Sequence, residues 1–333
     1  MQPENPSAGL PEDVPLVAVR RGALVESVHR GRVAVCDAGG ELIEATGDPD
    51  GYLYARSSAK PFQAMPLLLS GAADAFGLTD EELAVACASH NAEEPHLAAV
   101  RSILKKAGLS EEDLQCGAHP PIYEPAAAEL ARRGEEPRQV HGNCSGKHAG
   151  MLALCVYEGW ETAGYRNPDH PLQRRILQIV ARVCGLERDE ILLAGDGCGV
   201  PSLGMPLRNL ATGFARLATG ENLSDDLAGA AGRIRRAMRE HPYLVAGTGR
   251  LDTDVMRGTD LIAKSGAEGV FAAGNPEDRW GLALKISDGS TRAVRPAALA
   301  ALARQGLEVP QTSESRSLHD LHGASVGSIE PLL

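Results

Sequence analysis

The hydrophobic period changes twice along the chain, and that change limits the fold more than any single motif. Pro15–Arg20, Leu24–Arg30, Arg32–Asp37 and Glu41–Ala45 alternate with period two, as half-buried strands do. Asp37-Ala38-Gly39-Gly40 supplies a hairpin turn between the last two. From Lys60 the period is helical, over Lys60–Ser70, Thr79–Ala88, Glu93–Ala107, Pro125–Arg133, Lys147–Glu158, Pro171–Cys184 and Ser224–Glu240. Gly71, Gly77 and Gly108 read as stops, and Thr79 with Glu82 reads as a capping box, a cue that Ser110 and Asp113 repeat. Strand periodicity returns at Gly269–Ala273 and Trp280–Ser287, joined by the loop Gly274–Asp278, before a last helix from about Arg295 to Gln305. This order predicts an α+β fold. One antiparallel sheet comes from both chain ends (about 15–46 and 269–305), with a helical region (about 57–240) inserted. Residues 14–333 read as one domain behind a disordered, Pro- and Glu-rich leader, residues 1–13. No GxGxxG follows a strand, so a dinucleotide fold has no support.

Charge and cysteine usage narrow the partners. The 333 residues carry a net charge of -11, which repels phosphate backbones, so no nucleic-acid partner is expected. Aromatics are 4% of the chain, too few for a stacking platform. No stretch approaches the roughly 20 apolar residues that cross a bilayer. Met1–Pro15 has neither a basic n-region nor an apolar h-region, and the seven cysteines are odd in number and form no CxxC. A cytoplasmic protein with reduced thiols is the expectation. Six of the 33 basic residues are lysine, so 27 are arginine. Arginine cannot lose its proton in a protein and lysine can, so each lysine in this chain is a candidate for chemistry.

Three short motifs use two of those lysines. Ser57-Ser58-Ala59-Lys60 has the form SxxK, Ser89-His90-Asn91 the form SxN, and Lys264-Ser265-Gly266 the form K[ST]G. In this order they are the signature of serine acyl-transfer enzymes. Serine and lysine three apart at a helix start share a face, and a buried lysine of depressed pKa takes the serine proton. Ser57 is the expected nucleophile, and Lys60 and Lys264 are expected to be proton acceptors.

A second constellation is Asn143-Cys144-Ser145-Gly146-Lys147-His148-Ala149-Gly150 with Asp196-Gly197-Cys198-Gly199-Val200-Pro201. Each sets a cysteine in a glycine-flanked turn. The plainer reading is two buried thiols. The functional one is a soft-metal pair favouring zinc, with His148 or another nearby group completing the shell. Gly247-Thr248-Gly249-Arg250 offers Arg250 as a carboxylate clamp, and Asp196 suits an α-amino group.

These runs, with Arg56–Gln63, Cys87-Ala88-Ser89-His90 and Lys264–Gly269, resemble the L-asparaginase II family of the Rhizobium etli type, over roughly Leu16–Ala303. The resemblance implies a single catalytic domain with a fold similar to serine β-lactamases and glutaminases, homodimers, and hydrolysis of L-asparagine to L-aspartate and ammonia. It implies Ser57 with Lys60 as nucleophile and base and Ser89 with Lys264 as a second Ser-Lys pair. It also implies Cys144, Lys147 and Cys198 as ligands of a zinc ion that positions substrate. Arg56, His148 and Asp196, with Asn143 and Arg250, form the expected substrate-binding set. Glutaminase and β-lactamase or D-Ala peptidase activities are the nearest alternatives. A non-catalytic zinc-binding protein is the alternative of another class, needing Cys144 and Cys198 but neither Lys60 nor Lys264.

Overall fold

A strand leaves backbone N–H and C=O groups open along its edges, and the two chain ends pair to close some of them. The computed structural model describes residues 11–308 and 316–333. Its strands are β1 (Val14–Arg21), β2 (Leu24–Asp37), β3 (Leu42–Thr46), β4 (Tyr52–Tyr54), β5 (Leu192–Gly195), β6 (Pro201–Pro206), β7 (Ile262–Gly266), β8 (Val270–Asn275), β9 (Trp280–Ile286), β10 (Ser317–His319) and β11 (Ser325–Pro331). The main sheet runs β10-β11-β1-β2-β9-β8-β7, with β3 also paired to β2, and its pairings are antiparallel. This is the α+β architecture expected from the sequence, with the sheet drawn from both ends and helices between.

The details differ where tertiary contact overrides local pattern. The two strands expected at Leu24–Arg30 and Arg32–Asp37 are one 14-residue strand, β2. Gly31 is not a break but a close approach, since a Cβ there would lie 2.1 Å from Lys285 O. The sheet also extends past residue 305. β11 pairs with β1 from Val17↔Pro331 to Arg21↔Gly327, although Ser325–Pro331 has too few apolar residues to declare itself a strand. A second, three-stranded sheet, β4-β6-β5, was not foreseen, because its strands are short and β6 is bounded by Pro201 and Pro206. Residues 1–10 of the expected leader lie outside the described residues. Pro11–Asp13 are tied to the body: Asp13 Oδ1 accepts from Arg32 at 2.7 Å, and Glu12 O accepts from Asp48 N at 3.1 Å.

The helices follow the sequence reading closely at Lys60–Leu69, Asp80–Ala86, Glu94–Lys106, Glu124–Arg132, Ser145–Glu158, Pro171–Cys184, Asp225–Glu240 and Thr291–Arg304. The Thr79–Glu82 capping box forms as expected. Two longer helices were missed, Leu207–Thr219 and Leu251–Gly258, with the single turns Ala72–Ala75 and Pro242–Val245, so the helical region runs beyond residue 240. Gly213 weakens the first of these locally, yet the packing requires it: a Cβ would meet Cys184 Sγ at 2.9 Å and Phe62 at 3.1 Å. This helix lies on β8 and β9 so closely that a Cβ on Gly281 would sit 2.0 Å from Ala211 O. Phe62 meets Phe214 edge-on at 5.3 Å and so ties the Lys60 helix to it. Truncating a ring at such a site costs roughly 3–5 kcal/mol.

Candidate active site

The SxxK turn starts where β4 ends. Ala55 N donates to Leu203 O of β6, and the chain then turns sharply at Arg56, whose φ is +50°. Residues Arg56–Ala59 form a 3-10 turn that runs into the helix Lys60–Leu69. Residues three apart eclipse in such a turn, which sets Ser57 and Lys60 on one side. The two adjacent serines divide their roles. Ser58 is fully buried and its Oγ donates to Ala55 O at 2.6 Å. Ser57 is half-buried and its hydroxyl has no side-chain hydrogen bond among the described residues. Lys60, 1% exposed, donates through Nζ to Ala88 O at 2.6 Å, Ser89 Oγ at 3.0 Å and Asn143 O at 3.5 Å.

Ser89 therefore meets Lys60. The pairing of Ser89 with Lys264 expected from the resemblance is not among the hydrogen bonds formed. The loop carrying Ser89 is pinned in strand-like fashion, with Ser89 N donating to Val245 O and Asn91 N to Ala246 O. The Asn91 side chain donates to Thr248 O and Glu93 and accepts from Arg250 at 3.2 Å, so the SxN loop and the Gly247–Arg250 loop are one unit. Burial, then His96 and Lys60, push the His90 imidazole well below its usual pKa. Its Nδ1 accepts from Ala92 N, leaving Nε2 to donate to Ser145 Oγ at 2.8 Å.

Lys264 lies on β7 at the end of the sheet, with β7 packed against the SxxK turn. A Cβ on Gly266 would lie 2.8 Å from Ala55 O, which explains the glycine of the third motif. Lys264 Nζ donates to Asp252 Oδ2 at 2.9 Å and to Ser265 O at 3.0 Å. Asp252 was not singled out from the sequence. Its signal was a position two residues beyond Arg250, at the start of a helix that the local pattern did not reveal. Burial pushes Lys264 down to about 8 despite the opposing pull of Asp252.

The cysteine-bearing turns also converge. Lys147 Nζ lies 3.2 Å from Cys198 Sγ, and the Cys198 thiol hydrogen-bonds to Cys144. That bond, with the nearby Lys60 and Lys147, holds the Cys144 thiol well below its usual range and pushes Cys198 up. Burial lowers Lys147, but the two sulfurs and Asp196 outweigh it, and its pKa is raised. Among the described residues no three or more His, Cys, Asp or Glu cluster as a metal site, so a three-ligand set here depends on Lys147.

Asp196 joins this cluster to the serine turn. Its Oδ1 accepts from Arg56 at 3.0 Å and from Gly197 N at 2.6 Å. Burial raises its carboxyl, but Arg56, Lys147 and the Gly197 amide together hold it below the usual carboxylate range. His148 is fully buried, with Nδ1 2.6 Å from Tyr165 OH and Nε2 without a partner among the described residues. Asn143 contributes its carbonyl to Lys60 and to His90 N, and its side-chain oxygen to Cys144. Arg250 is engaged by Asn91, whose Oδ1 accepts from it at 3.2 Å.

The model of the L-asparaginase II family matches residues 17–330, nearly the whole chain. No curated protein matches the chain. Among solved structures, a β-lactamase from Mycobacterium bovis aligns at 15% identity and TM-score 0.40, over 83% of this chain and 95% of its own. Mglu in its native form with 4.3 M NaCl aligns at 16% identity and TM-score 0.40, over 88% of this chain and 65% of its own. A β-lactamase-class protein from Bacteroides dorei aligns at 12% identity and TM-score 0.42, over 82% and 93%. Likenesses this distant decide nothing about the chemistry of this chain.

Proposed function

Because the chain belongs to the L-asparaginase II family, whose activity class is amide hydrolysis, we propose that it converts L-asparagine to L-aspartate and ammonia through an acyl-enzyme on Ser57. The observation that carries this reading is the division between the two serines. Ser58 is committed to Ala55 O, and Ser57, half-buried and without a side-chain hydrogen bond among the described residues, sits in the same turn as Lys60 and follows Arg56, which holds Asp196. Ser57 Oγ attacks the side-chain amide carbon, and Lys60 acts as the base that takes its proton. Ser89, hydrogen-bonded to Lys60, hands a proton to the departing nitrogen, because a hydroxyl accepts and donates at once. Ammonia leaves, and water then cleaves the ester to L-aspartate and regenerates Ser57. The Arg56–Asp196 pair suits the two charges of an amino acid, with guanidinium to carboxylate and carboxylate to ammonium.

Two thiols and an amine meeting at one buried point fit zinc, which takes thiolates and, in non-structural sites, three protein ligands and one open position. Cys144, Lys147 and Cys198 would hold it, and when bound it would orient the substrate as a Lewis acid. A homodimer and a cytoplasmic location complete the reading. No helix among the described residues is long and apolar enough to cross a membrane. Ammonia release from L-asparagine, L-glutamine and a β-lactam panel is the test. A pocket separates substrates one methylene apart by only about 1–3 kcal/mol, so some glutamine turnover is compatible. No amide hydrolysis at all, with zinc bound at the cysteines, would leave a zinc-binding protein.

A further inference from the structure

Lys264 and Asp252 form a buried ion pair to which the hydrolytic steps above give no task. Their side chains are 0% and 1% exposed. Asp252 Oδ2 accepts from Lys264 Nζ at 2.9 Å, and Oδ1 accepts from Ser265 N at 2.9 Å and from the Ser265 hydroxyl. One carboxylate thus grips two consecutive residues of β7, each through its own oxygen. A carboxylate with both oxygens engaged is held ionised and in one orientation.

The surrounding charges are unbalanced. Lys60, from the helix Lys60–Leu69, and Arg250, from the loop before Asp252, both face the pair, and the Cys87 thiol lies close to both lysines. Burial, Lys60 and Arg250 disfavour a charged Lys264, and Asp252 is the group that opposes them. β7 packs on the SxxK turn through Gly266, and Lys264, two residues earlier on the same strand, lies within electrostatic reach of Lys60.

We propose that Asp252 is a positioning residue that keeps Lys264 a protonated, fixed cation beside the Ser57 turn, so that Lys264 serves the reaction by its charge and not by accepting a proton. A cation held in a water-poor site stabilises negative charge as it develops on the attacked carbonyl, without reorganising. The inference rests on the Ser57 acyl-enzyme reading. It replaces the expectation that both lysines are bases.

The experiment follows Lys264 directly. The full chain is labelled with 15N-lysine; six lysines make the Nζ signals few enough to assign with a Lys264→Met variant. Wild type, Asp252→Asn and Asp252→Glu are titrated, and kcat for L-asparagine is measured across the same pH range. Lys264 should titrate near 8 in wild type and about one unit or more lower in Asp252→Asn, with Asp252→Glu recovering much of the difference. A required cation loses activity as pH rises through its pKa, so kcat should have an alkaline limb that moves to lower pH in Asp252→Asn by the same amount. An unchanged Lys264 titration overturns the proposal, as does a moved titration with an unmoved limb. Should no variant hydrolyse any amide, the acyl-enzyme reading fails by itself, and the proposed hold of Asp252 on Lys264 still stands or falls by the NMR titration. Should Asp252→Asn not fold, the double variant Asp252→Asn/Lys264→Met decides. A folded double variant supports the carboxylate's role in balancing that charge, and an unfolded one overturns it.

Discussion

Replacing Ser57 and Ser58 by alanine, one at a time, separates chemistry from architecture at adjacent positions. Ser58 is fully buried and, among the described residues, its only side-chain bond is to Ala55 O at 2.6 Å. That carbonyl also accepts from Ser58 N at 3.1 Å, so Ser58→Ala leaves no orphaned acceptor. The loss is one net hydrogen bond, about 1 kcal/mol. For a chain of 333 residues that is about 1–2 °C in melting temperature. The bond also braces Arg56, whose left-handed backbone costs on the order of 1 kcal/mol, so Ser58→Ala should raise KM modestly and leave kcat within about tenfold. Ser57→Ala breaks no side-chain bond among the described residues and should shift stability by less than about 0.5 kcal/mol. It removes the attacking oxygen, and kcat should fall by at least about 10³-fold. Thermal unfolding and ammonia release on the same preparations read both quantities. An inactive Ser58→Ala beside an active Ser57→Ala would put the nucleophile one residue later and refute the assignment of roles.

Two further outcomes are expected. Lys60→Arg keeps the charge but removes the base, so kcat should drop by at least about 10²-fold, and near-wild-type turnover would leave Lys60 a structural donor to Ala88 O. Protein purified without chelator should contain zinc, and Cys144→Ala and Cys198→Ala should not. Removing zinc should raise KM more than it lowers melting temperature, and equal, near-zero zinc in all three proteins after zinc addition would make these thiols ordinary buried cysteines.

What the sequence disclosed follows from the range of each signal. Ser57 and Lys60 were legible because three residues at a helix start fix their relation locally, and Lys264-Ser265-Gly266 because its glycine answers to a backbone contact at Ala55. Long strands and capped helices were legible for the same reason. β11 was not, because its strand character comes from β1, some 300 residues earlier. The partners of the lysines were not legible either. Whether Ser89 meets Lys60 or Lys264 depends on where Val245 and Ala246 pin its loop, and Asp252 reaches Lys264 from a separate helix.

The lysine count gains a physical sense from where those residues lie. Lys60, Lys147 and Lys264 are 1%, 4% and 0% exposed and converge on one site, and Lys105 and Lys106 end a surface helix. A planar guanidinium needs a forked set of acceptors in one plane. The three buried amines instead meet separate partners: oxygens of Ala88, Ser89 and Asn143 for Lys60, a sulfur for Lys147, a carboxylate and a carbonyl for Lys264. One flexible point charge with three donors suits each of these. Their environments then divide the labour. In the proposed reading the one facing a serine hydroxyl moves a proton, the one facing thiols shares a metal, and the one facing Asp252 remains charged.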